Sequence, residues 1–219
     1  MSKLTIGIVD YGVGNHASVR QCLHHLGLRC RVSDDPAVLD ACNMLLLPGV
    51  GAFRVAMEAL QARNLDRFVI DQANRRKPVL GICLGMQLLT EASHEHGYTA
   101  GLGLIDGETV PLRPLRWHIG WNTVEPLSGD PLFEGARGHA FFFNHSYAYE
   151  GPERFQVCRT HMGSSFASVI HVALVACGGW ARTIKGPDRW DRSANCHGGG
   201  CLARWPVRRQ CREGCHPSR

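Results

Sequence analysis

Short apolar runs alternate with helix-like stretches along the first 90 residues. The apolar runs predict buried strands at 4–9, 29–32, 44–47 and 79–82. Between them, apolar residues at helical spacing predict helices at 17–26, 52–60 and 65–75. Strands that read as continuous apolar runs are typical of parallel sheets covered by helices on both faces. The pattern therefore predicts a three-layer α/β domain with a mostly parallel central sheet.

The pattern changes in the second part of the chain. Residues 97–107 are loop-rich, and strands separated by turns are predicted at 116–124, 140–149 and 155–158. No helix is predicted among them. Since ligands of open α/β sheets bind beyond the carboxyl ends of the strands, chemistry is expected where the early strands end.

The segment VLGICLGMQLL, residues 79–89, places a cysteine between two glycines at such a strand end. Cys83 follows the apolar run and precedes the first turns of a predicted helix. Flanking glycines allow a sharp bend, and the helix N-terminus offers unpaired N–H groups and a positive dipole end. That environment predicts a lowered thiol pKa and a nucleophile. The alternative interpretation is a buried structural cysteine beside packing glycines.

A thiolate that attacks an amide needs donors for the developing oxyanion and a base for the thiol proton. The backbone N–H of Leu84 is one candidate donor, and the turn PGVG (48–51) supplies a second, because glycine lets the backbone approach a ligand closely. The base is normally a histidine. The chain has 12 histidines, and spacing alone does not choose among them.

Six segments occur in a characteristic order: IVDYGVGN (8–15), LLPGVGAF (46–53), GICLGMQLL (81–89), GLGLIDG (101–107), HIGWN (118–122) and NHSY (144–147). Together they resemble the glutaminase subunits of imidazole glycerol phosphate synthase, which are class I glutamine amidotransferases of histidine biosynthesis. The resemblance covers about residues 4 to 170. GxCxGxQ alone indicates only the wider class, whereas DYGVGN, GLGLIDG and HIGWN are typical of this subunit.

The resemblance implies a role for each matching position. Cys83 would attack the carboxamide of glutamine and form a glutamyl thioester, with Val50, Gly51 and Leu84 at the oxyanion. The remaining positions would contact substrate or partner: Gln87, His145, Ser146 and Tyr147 would hold glutamine, and Asn15 would face the partner subunit. Taken singly, Gln87 could instead be solvated, His145 structural and Trp121 part of the core.

The resemblance also implies the partner and the products. The partner would be a cyclase subunit with a (β/α)₈-barrel fold, which uses the enclosed ammonia to make imidazole glycerol phosphate and aminoimidazole carboxamide ribotide. No metal or organic cofactor is implied. Two alternatives stay open: a non-catalytic docking or regulatory subunit of the same synthase, and some other cysteine hydrolase of similar strand-turn-helix build.

The chain departs from the family at its C-terminal end. The family places Phe-His-Pro-Glu-Lys-Ser soon after a strand that ends in Gly-Val-Gln, and its His and Glu are the base and the residue that orients the base. No such motif is present, so neither residue can be identified here. His171 comes about ten residues too early, and His216 lies far too late. We therefore expect the C-terminal strand and the helix after it to be missing.

Composition also changes there. Residues 1–170 carry a net charge of −1, whereas residues 171–219 carry +6 together with five of the ten cysteines and three of the five tryptophans. We therefore expect an incomplete amidotransferase domain at 4–176 and an anomalous, unstructured tail at 177–219. Three explanations are open: translation in the wrong reading frame, a genuine replacement that binds zinc or nucleic acid, and a pseudo-enzyme. Loss of activation of Cys83 and poor stability would follow from the first and the third.

Other features of the sequence limit its setting. No run of 18 apolar residues is present, and the N-terminus lacks a signal-peptide pattern. We therefore expect a cytoplasmic protein without a membrane or nucleic-acid partner. The net charge of +5 arises in the tail and says little about the body. A disulfide framework is not expected in that compartment.

Overall fold

A computed structural model of the chain describes residues 4–127, 139–172 and 175–178. The helices in these residues are His16–His25 (α1), Pro36–Asp40 (α2), Phe53–Gln61 (α3), Leu65–Asn74 (α4) and Leu84–Leu88 (α5). The strands of the first half are Thr5–Val9 (β1), Arg29–Ser33 (β2), Met44–Gly49 (β3), Val79–Cys83 (β4), Thr90–Ser93 (β5), Thr99–Ala100 (β6) and Ile105–Pro111 (β7). Those of the second half are His118–Thr123 (β8), Glu125–Pro126 (β9), Ala140–His145 (β10), Tyr147–Glu150 (β11), Gln156–Met162 (β12), Ser164–Val172 (β13) and Val175–Gly178 (β14).

Within the described residues, twelve strands form one mixed sheet. Its order is β2-β1-β3-β4-β14-β13-β11-β7-β5-β6, with β12 paired to β13 and β9 paired to β12. Strands β2, β1, β3, β4 and β14 run parallel, and β13 is the first antiparallel neighbour. Strands β8 and β10 form a separate antiparallel ribbon. The predicted α/β fold is thus confirmed, and its parallel half carries the Cys83 junction.

Two apolar layers cover opposite faces of this parallel half. Ile8 of β1 packs in a cluster with Val19 and Leu23 of α1. The next residue, Val9, belongs to the opposite cluster, which includes Phe53 and residues of α4 and α5. Because side chains alternate along a strand, one apolar run supplies both layers. The carboxyl ends of these strands are thereby fixed on both sides.

Most early elements lie within about two residues of the predicted bounds, but α2 was not predicted. Asp35 begins this short helix by accepting a hydrogen bond from the Ala37 N–H at 2.8 Å, and Pro36 occupies the first turn. The predicted strand over 140–149 is two strands that meet at Ser146. The helix after Cys83 ends at Leu88, and strand β5 follows it directly.

The C-terminal end corrects one expectation. A final strand is present, because Val175–Gly178 pairs parallel to β4 and antiparallel to β13. Without it, backbone groups on the facing edges of β4 and β13 would be buried unpaired, so even a short segment gains by pairing there. The expected loss of a covering helix concerns residues outside the described ones, as does almost all of the predicted 177–219 tail. In the described part of the chain, no helix is long and apolar enough to cross a membrane.

Candidate active site

Cys83 lies at the bend between β4 and α5. Its backbone has φ +56° and ψ −118°, a combination that residues other than glycine rarely adopt. Such a conformation costs about 1–3 kcal/mol and persists only where the surrounding structure enforces it. The strain therefore identifies a position whose geometry is imposed by its neighbours.

Backbone-to-backbone packing enforces this bend. A methyl group on Gly85 would collide with the carbonyl oxygen of Leu47 in β3. One on Gly81 would lie 2.6 Å from the carbonyl oxygen of Gly85. Strands β3 and β4 and helix α5 thus touch where a side chain has no room. The two glycines of the motif are required by packing, which leaves Cys83 as its candidate reactive group.

The turn after β3 is held beside this junction by Tyr11. The buried Tyr11 hydroxyl donates to the Pro48 carbonyl at 2.7 Å, and a methyl group on Gly49 would lie 2.7 Å from the Gly85 nitrogen. Burial raises the pKa of Tyr11, and the neighbouring Cys83 raises it further by a smaller amount. The hydroxyl therefore stays a neutral donor. The turn continues through Gly51, whose φ of +91° favours glycine. Val50 and Gly51 are thereby brought next to the thiol.

These elements line one cavity of about 730 Å³. It contains every residue that the sequence placed at the nucleophile, the oxyanion or the substrate: Val50, Gly51, Cys83, Leu84, Gln87, His145, Ser146 and Tyr147. Four lining residues had no site role in the prediction: Glu95, Trp121, Phe142 and Asn144. The structure thus brings the candidates together, and their individual roles stay predictions.

The Tyr147 carbonyl organises one wall of the cavity. It accepts hydrogen bonds from Gln87 Nε2 at 3.3 Å and from His145 Nδ1 at 2.8 Å. A carbonyl oxygen only accepts, so both side chains must donate through these nitrogens. The link joins α5 to the β10–β11 bend across 60 residues of sequence.

Among the residues that the structure describes, Glu95 brings the one carboxylate of the cavity lining. Its Oε2 accepts from the Phe53 N–H at 2.6 Å, where α3 begins without a capping side chain of its own. Glu95 lies in a loop whose sequence contains no recognisable motif, so its place in the cavity lining is seen only in the folded structure. Across the described ranges, no group of three or more His, Cys, Asp or Glu side chains could hold a metal ion.

Asn15, the predicted partner contact, lies outside the cavity lining. Its side chain accepts from the Ser18 N–H at 3.2 Å and begins helix α1. The preceding Gly14 approaches the turn after β3, since a methyl group there would lie 3.4 Å from Pro48 Cγ. The loop therefore borders the same edge of the sheet as the cavity.

The thiol of Cys83 is not activated, contrary to the sequence-based expectation. Burial raises its pKa to about 11, and a backbone hydrogen bond from Leu84 only partly opposes this. Helix α5 has five residues, so its dipole is too short to outweigh the desolvation. Activation of this thiol therefore requires a base.

The register of β14 shows where that base would come from. Gly178, the last described residue of β14, pairs with Ile82, so it lies one position short of Cys83 on the adjacent parallel strand. The sequence continues as Gly-Trp-Ala-Arg, and the next histidine is His197. Among the described residues, His145 is the one histidine that lines the cavity. None of the 18 residues that follow Gly178 in the sequence is a histidine.

Comparison with known families gives a match over almost the whole described region. Residues 7–178 match the class I glutamine amidotransferase family. A subunit HisH of imidazole glycerol phosphate synthase from Symbiobacterium thermophilum is 46% identical over 170 residues, which cover 75% of this chain and 80% of that protein. The HisH subunit from Bacillus licheniformis is 43% identical over 156 residues, covering 68% and 74%.

Solved structures support the fold at lower identity. A crystal structure of a glutamine amidotransferase has a TM-score of 0.63 at 14% identity, covering 79% of this chain and 87% of that one. PurLQS from Thermotoga maritima has a TM-score of 0.62 at 19% identity, covering 80% and 85%. At these identities the likeness concerns architecture alone.

Proposed function

The chain belongs to the class I glutamine amidotransferase family, and we propose that it is the glutaminase subunit of an imidazole glycerol phosphate synthase. The observation that carries the proposal is the strained Cys83 at the β4–α5 bend, in one cavity with the predicted oxyanion and glutamine residues. HisH relatives at 43–46% identity support the choice among amidotransferases. Its place in histidine biosynthesis and a cytoplasmic location are parts of the same proposal.

The proposed reaction proceeds in two steps. Cys83 Sγ attacks the side-chain amide carbon of glutamine, and the thiol proton passes by way of a base to the leaving nitrogen, which departs as ammonia. Water then cleaves the thioester to glutamate and restores the thiol. The backbone N–H groups of Leu84, Val50 and Gly51 are the proposed donors to the oxyanion.

Charge and hydrogen-bonding groups in the cavity suit glutamine. The Glu95 carboxylate offers a partner for the α-ammonium group. Because Gln87 donates its amide N–H to Tyr147, its amide oxygen is the group left to accept from substrate. His145 and Ser146 complete the same wall.

An exposed apolar face beside the cavity is the proposed seat of the cyclase subunit. Trp117, Ile119 and Trp121 are 61%, 61% and 44% exposed, and they lie at alternate positions in and just before β8. Trp121 also lines the cavity and meets Phe142 edge-on at 5.5 Å. A partner that covers this face and the neighbouring Asn15 loop would keep ammonia from becoming protonated in water. The relatives are named as synthase subunits, which supports an assembly of this kind.

We further propose that the chain as written hydrolyses glutamine slowly. The thiol pKa of about 11 leaves little thiolate at neutral pH, and no histidine occurs among the 18 residues after Gly178. Loss of one member of a catalytic triad commonly costs several orders of magnitude in rate. These observations favour, as a second candidate, a docking subunit that stabilises the cyclase without supplying it with ammonia.

The experiment mixes this chain with the cyclase subunit of a close HisH relative and measures imidazole glycerol phosphate formation. Glutamine and an ammonium salt are compared as nitrogen sources. We expect ammonium to support synthesis, and glutamine to do so at least 100-fold more slowly than in the relative's own complex. Equal rates with glutamine would overturn the slow-hydrolysis proposal and the docking alternative. Failure to bind the cyclase would overturn the assignment to this synthase.

A further inference from the structure

A pair of histidines links the β8–β10 ribbon to the wall of the cavity. His118 and His145 are direct cross-strand neighbours, and His118 Nδ1 lies 3.2 Å from His145 Nε2. His145 Nδ1 in turn lies 2.8 Å from the Tyr147 carbonyl oxygen, which also accepts from Gln87. Four groups from four elements (β8, β10, β11 and α5) are thus connected in one chain of hydrogen bonds.

The direction of every bond in this chain follows from its last acceptor. A carbonyl cannot donate, so the proton between His145 and Tyr147 belongs to His145 Nδ1. In a neutral imidazole the other nitrogen then carries a lone pair, and His145 Nε2 must accept from His118 Nδ1–H. Burial lowers the pKa of both histidines, which keeps both rings neutral at pH 7. Each ring therefore holds its proton on Nδ1.

Aromatic packing holds the donor ring in place. His118 is 3% exposed and stacks on Phe143 with a centroid separation of 4.7 Å and an interplanar angle of 16°. Phe166 meets His118 at 5.6 Å and His145 at 5.0 Å, edge-on to both rings. The imidazoles are thus enclosed by aromatic rings of the ribbon and of β13.

We propose that His118 is a positioning residue for the glutamine pocket, acting through His145 on the Tyr147 carbonyl and the Gln87 amide. This inference rests on the proposed glutamine site. The same chain of bonds occupies the lone pair of His145, so this histidine cannot take the thiol proton from Cys83. His118 thereby fixes the wall that would hold substrate and excludes His145 as a substitute base.

The test uses the full chain and two substitutions that differ in one hydrogen bond. His118→Leu removes the donor. His118→Asn keeps one, because the asparagine Nδ2 occupies the position of imidazole Nδ1 relative to Cβ. Both substitutions remove the ring stacked on Phe143, so both should lower the unfolding midpoint by similar amounts. Calorimetry with glutamine should show about tenfold weaker binding for His118→Leu and less than threefold for His118→Asn.

A second measurement does not depend on glutamine. Two-bond ¹H–¹⁵N spectra of the wild-type chain with labelled histidine report which ring nitrogen carries the proton, and we expect Nδ1–H on both His118 and His145. Equal loss of glutamine binding in the two variants, no loss in either, or Nε2–H on His145 would overturn the inference. If the wild-type chain binds no glutamine but both rings show Nδ1–H, the proposed substrate fails while the hydrogen-bonded pair stands.

Discussion

The carboxyl ends of two adjacent parallel strands, β4 and β14, differ in what the chain supplies next. Strand β4 ends at Cys83 in a strained bend, and the close-packed first turn of α5 follows it. Beyond β14 comes a sequence without histidine for 18 residues. The two ends are neighbours in the sheet, so the described residues build the proposed nucleophile side of the site, whereas the sequence after Gly178 offers no nearby histidine for the base side.

The difference shows that the geometry of the nucleophile does not depend on the base. Contacts among β3, β4 and α5 create the bend at Cys83, and all of them precede residue 90. Reactivity of the thiol is a separate property, because burial raises its pKa to about 11. A cysteine placed in a catalytic conformation is therefore not yet a catalytic cysteine. Three changes would break or sharpen this comparison.

The largest effect is expected from restoring the base side. Replacing the chain from residue 177 onward with a strand end and helix that carry Gly-Val-Gln-Phe-His-Pro-Glu should place a histidine beside Cys83, since β14 is already in register with β4. Glutaminase turnover should rise by about 1,000-fold or more, the usual cost of a lost triad member. Glutamate release in the presence of the cyclase subunit measures it.

The matched control is the same graft with Asn in place of its histidine. It restores the strand and the helix without the base, so stability should improve while turnover stays low. A rise in turnover with both grafts would show that folding, and not the base, limits the original chain.

The second change tests how rigidly the nucleophile side is built. Gly85→Ala puts a methyl group against the Leu47 carbonyl, with backbone on both sides and no flexible side chain to yield. We expect the free energy of unfolding in urea to fall by about 3 kcal/mol or more. Gly51→Ala is the control: it has a positive φ but no neighbour within 4 Å, so about 1 kcal/mol is expected. Equal losses would mean that packing does not enforce the bend.

The nucleophile side was predictable because its signals are local. Apolar runs predicted β1, β3 and β4, and the glycines at 81 and 85 predicted the bend. None of these signals depends on a tertiary contact. The parallel order of the strands then brought their carboxyl ends together. Eight predicted residues consequently line one cavity.

The remaining features depend on contacts that no short motif encodes. Glu95 reaches the cavity because it binds the start of α3, which lies 42 residues earlier. His118 acquires its place from cross-strand pairing with His145. The lowered thiol pKa was wrongly expected because a helix start is visible in sequence, whereas the burial that raises the pKa is not. Strand β14 was missed because its pairing partners, not its composition, make it a strand.

The third and smallest effect concerns the ionisation of Cys83 itself. Because the folded environment favours the protonated thiol, thiolate should accumulate only as pH rises toward about 11, instead of near the ordinary value of 9.0. At pH 8 the thiolate fraction should be about 100-fold below that of an unperturbed cysteine.

Alkylation by iodoacetamide, followed at Cys83 by mass spectrometry, should therefore speed up about tenfold per pH unit between 8 and 10. In a peptide carrying GICLG the rate should already level off above pH 9. In the grafted chain the added histidine should lower the thiol pKa, so alkylation at pH 8 should accelerate there and stay slow in the Asn control. A plateau by pH 9 in the original chain would mean that a base already acts on Cys83, and the two sides of the site would no longer differ.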